Sequence, residues 1–100
     1  MTDAEIRDQT ALLFKTLASA SRLAILAQLR QGPSRVNDLV EALGMSQPLI
    51  SQHLSVLRLA RLVEGKRHGR ETLYEVSDLH VTHIVDDALA HVAEKSGNSS

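Results

Sequence analysis

Residues 35–60 read RVNDLVEALGMSQPLISQHLSVLRLA, and the fold turns on this stretch. Val36, Leu39, Val40 and Leu43 fall at i, i+3, i+4 and i+7, which gives one apolar face to a short helix over about Arg35–Leu43. Gly44 ends that helix. Met45-Ser46-Gln47-Pro48 then makes a tight re-entry: Ser46 is a natural N-cap, and Pro48 fits the first turn, where a missing N–H costs nothing. The second helix runs to about Ala60, with Ile50, Leu54, Leu57 and the aliphatic stem of Arg61 facing inward. Two helices joined by a tight glycine-containing turn, the second polar on its outer side, predict a helix-turn-helix.

Working outward, the N-terminal side holds two more helices. One spans about Asp3–Leu17, capped by Thr2 or Asp3, with Ile6, Leu12, Leu13, Phe14 and Leu17 as its apolar residues. Ser19 or Ser21 caps the next, which runs to about Leu29 on Leu23, Ile25, Leu26 and Leu29. Gly32-Pro33-Ser34 is a firm stop. On the C-terminal side the period changes at Leu62. Residues 62–76 read as two short strands about a polar tip, with His68-Gly69-Arg70 as the turn and Gly69 supplying positive φ. Ser77 or Asp78 caps a last helix to about Glu94, striped by Ile84, Val85, Ala88, Leu89 and Val92. Gly97-Asn98-Ser99-Ser100 reads as a frayed tail. The predicted class is mainly α with a small β-hairpin: a winged helix-turn-helix of five helices plus a wing, in one domain over residues 1–100.

Composition narrows the function. A chain of 100 residues supports one domain with a thin core, so stability from dimerisation is expected. Phe14 and Tyr74 are the only aromatics, and the core must be aliphatic. No run approaches the roughly 18 apolar residues of a membrane span, so no membrane partner is expected. The first residues lack the basic and apolar pattern of a signal peptide. There is no cysteine, which excludes disulfides, thiolate metal ligands and thiol redox sensing, and a cytoplasmic location follows as the expectation. No nucleophile–histidine–acid arrangement and no phosphate-cradling glycine loop is visible, so an enzyme is not expected.

The net charge of −1 is unevenly spread. Residues 45–70 set Arg58, Arg61, Lys66, Arg67 and Arg70 against Glu64 alone, whereas residues 71–100 set Lys95 against Glu71, Glu75, Asp78, Asp86, Asp87 and Glu94. A basic middle suits a polyanion and an acidic tail suits a cation. The second helix of the helix-turn-helix offers Ser46, Gln47, Ser51, Gln52 and Ser55 on its outer face, with His53 nearby; these groups can reach base edges or phosphates of double-stranded operator DNA. The hairpin tip, with Lys66, Arg67, His68 and Arg70, would touch adjacent phosphates or the minor groove. A plain helical hairpin with a solvated polar face, or a winged helix used as a protein-interaction module, fits the same pattern.

The last helix carries Asp78-x-His80 near its start and His91-x-x-Glu94 near its end. His91 and Glu94 are three apart and share a face. His80 and His91 share a face too, but at ~1.5 Å per residue they stand ~16 Å apart. One helix cannot close a four-ligand site from these residues; two copies packed antiparallel can, with Asp78 and His80 of one chain meeting His91 and Glu94 of the other. Two histidines and two carboxylates suit Zn²⁺, with Co²⁺ as a mimic and Ni²⁺ as the remaining alternative. A rival set, His83, Asp87 and His91, runs at i, i+4 and i+8, and the same residues also fit a polar stripe with no metal.

The segments Phe14-Lys15-Thr16-Leu17-Ala18, Ser21–Leu26, Leu43–Leu54 and Leu57–Val63 together resemble the bacterial arsenic/zinc-responsive repressors of the ArsR/SmtB family, over nearly the whole chain. The Asp78, His80, His91 and Glu94 pattern resembles the C-terminal-helix zinc site of the family's zinc sensors. The family's thiolate site has no counterpart here. The resemblance implies a homodimer joined through its first and last helices, a metal-free form that represses, and release from the operator on metal binding. It also implies a signal passed by a hydrogen bond from His91 to the backbone carbonyl near Gln52.

Overall fold

The computed structural model describes residues 1–97. The expected frayed tail lies, from Asn98 onward, outside the described residues. Five helices and one hairpin follow in the order α1 (Asp3–Leu17), α2 (Ala20–Leu29), α3 (Val36–Leu43), α4 (Gln47–Leu59), β1 (Val63–His68), β2 (Glu71–Val76) and α5 (Leu79–Lys95).

Local chemistry sets the helix ends. Thr2 caps α1 reciprocally: its hydroxyl accepts from the Glu5 N–H, and the Glu5 carboxylate accepts from the Thr2 N–H. Of the two candidate serines, Ser19 caps α2, accepting from the Arg22 N–H. Arg35 lies just before α3 rather than within it; the Asp38 carboxylate reaches back to the Arg35 N–H. Ser46 caps α4, and Asp78 caps α5 by accepting from the Val81 N–H at 3.1 Å. Between α3 and α4 the chain turns at Gly44, whose φ of +68° would strain any residue carrying a Cβ.

α2, α3 and α4 close around Ile25, Leu26, Leu29, Leu39, Ile50, Leu54 and Leu57, all buried. Leu62 and Val63 seal the entry to the wing, and Val81 and Val85 bring α5 onto the same cluster. β1 and β2 pair antiparallel from Val63 opposite Val76 to His68 opposite Glu71. The turn is therefore the two residues Gly69-Arg70, one shorter than the expected three, since His68 completes the ladder. Gly69 has φ +65° and Arg70 does not share it, the type II′ pattern that suits strand twist. Ser34 adds a short bridge: its N–H donates to the Tyr74 carbonyl and its carbonyl accepts from the Tyr74 N–H. The stop after α2 is thereby stitched to the wing.

One further expectation changes. The Arg61 stem is not inward: the residue is exposed and holds φ +61° just past α4, the left-handed stop usually given to glycine. On α1 only Leu17 is buried. Ile6, Leu12 and Phe14 are about half exposed, as is Leu89 on α5, and Val92 is 65% exposed. α1 departs from α2 at 94°, and while Leu17 and Leu13 pack on the core cluster, Ile6, Leu12 and Phe14 stay off it. Among the described residues no single helix is long and apolar enough to cross a membrane.

Candidate nucleic-acid interface and metal centre

α3, the Gly44 turn and α4 form the helix-turn-helix, with the hairpin beside it as the wing. Ser46 at the cap of α4 and Gln47, Gln52 and Ser55 on it are exposed, and Ser51 is partly so. They stand opposite Ile50, Leu54 and Leu57, which face the core. The side chains expected on DNA thus share the outer face of one helix. Its first turn carries no acid, and the Ser46 cap leaves that end free of a carboxylate.

His53 differs from the others. It is half-buried, and its Nδ1 accepts a hydrogen bond from Arg22 Nε at 3.3 Å. The same guanidinium donates to the Thr16 carbonyl at 3.1 Å. Arg22 therefore ties the last turn of α1 and the middle of α4 to α2. Sequence periodicity does not register this contact, because its partners lie six and 31 residues away.

On the wing, Lys66, Arg67, His68 and Arg70 are all exposed. Lys66 pairs with Glu75 across the strands, which raises its pKa chiefly through that hydrogen bond. Arg67 and Arg70 form no ion pair among the described residues. Arg35 donates to Asp38 and, through its Nη1, to Glu71 at 3.0 Å, so the start of α3 is fastened to β2. Helix-turn-helix and wing are held as one surface by this contact and by the Ser34–Tyr74 bridge.

The residues expected to hold a metal all lie on α5 or at its cap. Asp78 and His80 stand at the start, His91 and Glu94 near the end, and each is exposed. α5 is unbroken between the two histidines, so the three-turn separation holds. Within one chain, and among the described residues, no three His, Asp or Glu side chains gather around a common point. The rival set of His83, Asp87 and His91 is likewise not brought together. His91 makes no hydrogen bond to α4 within one chain among the described residues. In donor chemistry the four residues fit a borderline divalent ion: two neutral-capable imidazoles and two carboxylates, with one Asp78 oxygen also engaged by the Val81 N–H.

Helix-turn-helix, adjoining two-stranded wing and flanking α1 and α5 define a winged helix-turn-helix protein. Residues 19–65 match the family model described as bacterial regulatory protein, arsR family. The chain is 49% identical over 90 residues to the HTH-type transcriptional repressor SmtB of Mycobacterium tuberculosis, covering 90% of this chain and 67% of that one. It is 46% identical over 89 residues to the HTH-type transcriptional regulator NmtR of the same organism, covering 89% and 74%. Among solved structures it resembles the homodimeric winged helix-turn-helix DNA-binding domain Mb0332 of Mycobacterium bovis, with a TM-score of 0.79 and 33% identity over 95% of this chain and 88% of that one. The chain belongs to the ArsR family of transcriptional regulators, which are not enzymes.

Proposed function

We propose that this chain is a homodimeric, metal-responsive repressor: one winged-helix domain that binds operator DNA when metal-free and is released when a divalent ion binds. Zn²⁺ suits the donor set best, with Co²⁺ and Ni²⁺ as alternatives. Asp78 and His80 of one protomer and His91 and Glu94 of its partner hold the ion, giving two equivalent sites about a two-fold axis. α1 and α5 make the interface. The observation that carries this reading is the coincidence on α5 of split ligand pairs with an apolar face the chain leaves uncovered. An apolar groove lined by Phe14, Leu17, Leu23, Ile84 and Ala88 between α1, α2 and α5 continues that face.

DNA is read by Ser46, Gln47, Ser51, Gln52 and Ser55 in the major groove, with His53 held by Arg22 at their margin. Lys66, Arg67, His68 and Arg70 meet phosphates from the wing. The ion acts by binding the low-affinity dimer arrangement better than the high-affinity one, with a coupling of about 1–3 kcal/mol. His91, signalling toward the Gln52 carbonyl, is the residue assigned to carry it.

Zinc titration of the wild type and of His91→Ala tests the site. The account expects a large loss of affinity in the variant; equal affinity contradicts it. For DNA, affinity must fall steeply as salt rises, because neutralised phosphates release counterions.

A further inference from the structure

A second cavity, of about 550 Å³, opens between the C-terminal end of α4, the first strand of the wing and the cap of α5. Arg58, Arg61, Glu64, Lys66, Ser77 and Asp78 line it. Two of its three cations are free: Arg58 and Arg61 are exposed and form no ion pair among the described residues, while Lys66 is satisfied by Glu75. Of its two carboxylates, Asp78 already spends an oxygen on the Val81 N–H. Ser77 also lines it, and its hydroxyl oxygen is buried with no hydrogen-bond partner among the described residues. Arg61 holds its side chain on a left-handed backbone where glycine would sit without strain. These observations are independent, and they converge on one cavity.

We propose that this cavity binds a phosphate-class oxyanion, held by the guanidinium groups of Arg58 and Arg61. Planar guanidinium forks match such an anion with paired charge-assisted hydrogen bonds. The retained strain at Arg61 is then the cost of presenting that fork. The phosphate belongs either to a free phosphate-bearing molecule or to the backbone of bound DNA.

The test is an amide-shift NMR titration of the metal-free full chain with inorganic phosphate, against chloride at matched ionic strength. Saturable shifts at Arg58, Arg61 and Ser77 with phosphate alone are expected. Arg58→Ala and Arg61→Gly should each weaken binding by about tenfold, the loss of a charge-assisted hydrogen bond. Arg61→Gly relieves the left-handed backbone, so its thermal melting temperature should be no lower than that of the wild type, which separates lost binding from lost folding. If phosphate moves nothing but random-sequence duplex DNA shifts the same amides, and Arg58→Ala lowers the log–log salt slope by about one, the anion is the DNA backbone. If neither phosphate nor duplex shifts these amides, or if both variants bind as the wild type does, the proposal is overturned.

Discussion

Arg35 spreads one guanidinium over two acids: Nε and Nη2 reach Asp38, and Nη1 reaches Glu71. The hydrogen bond from its side chain, followed by that from its backbone N–H, holds the Asp38 carboxyl below the usual carboxylate range. The sign of the pH effect follows. The unfolded Asp38 titrates near its ordinary value of about 3.9 and the folded one lower, so its contribution is complete above that ordinary value. It is lost as pH falls through the folded one. Denaturation midpoints recorded from neutral to strongly acid pH should show this component in the wild type and not in Asp38→Asn. The group is exposed, so the effect is small and shrinks with added salt. Arg22 sits more deeply. Arg22→Met should lower stability by about 1–2 kcal/mol in urea denaturation, since it removes charged donors from both the Thr16 carbonyl and His53. Arg22→Lys should recover only part of this, because a single ammonium lacks the fork that reaches two partners.

At the scale of elements, the wing and α4 are the parts that must hold shape. Leu57 is fully buried on the core side of α4, and Leu57→Ala should cost about 2–5 kcal/mol. Gly69 turns the hairpin at positive φ; a β-branched residue there meets a steric penalty of about 1–2 kcal/mol. Gly69→Val should therefore fray the wing and weaken DNA binding while far-ultraviolet helicity persists. The elements themselves were legible from sequence because helix periodicity and caps are local signals, and each of the five helices falls within a residue or two of its reading. What was not legible is non-local. The Ser34–Tyr74 bridge joins a proline-containing loop to a strand, and the Arg22–His53 contact joins α2 to α4. Nothing in the spacing of the residues encodes either. Arg61 departs from the periodic pattern for a related reason: it lies two residues past Leu59, the last residue of α4, where the backbone has already left the helix. The three-turn spacing of His80 and His91 was readable because it depends only on helix rise.

For the whole molecule, the chain leaves Ile6, Leu12, Phe14, Leu89 and Val92 exposed on the two helices that flank the DNA-reading body. An apolar surface of this kind favours a second copy, since burying it removes it from water. Phe14→Asp should shift the protein from dimer to monomer in sedimentation. Metal affinity should fall with it, although no proposed ligand has been touched. Dimerisation and metal binding are one property in this account, because neither end of α5 alone holds enough donors.

Subunit complementation tests that claim most directly. His80→Ala and His91→Ala should each abolish tight Co²⁺ binding as separate homodimers. When the two are mixed and allowed to exchange subunits, each heterodimer regains one intact site. It combines Asp78 and His80 from the His91→Ala chain with His91 and Glu94 from the His80→Ala chain. The account predicts that the tetrahedral cobalt absorption returns on mixing, in proportion to the heterodimer formed. A mixture that forms heterodimers yet stays as silent as its parents would contradict it.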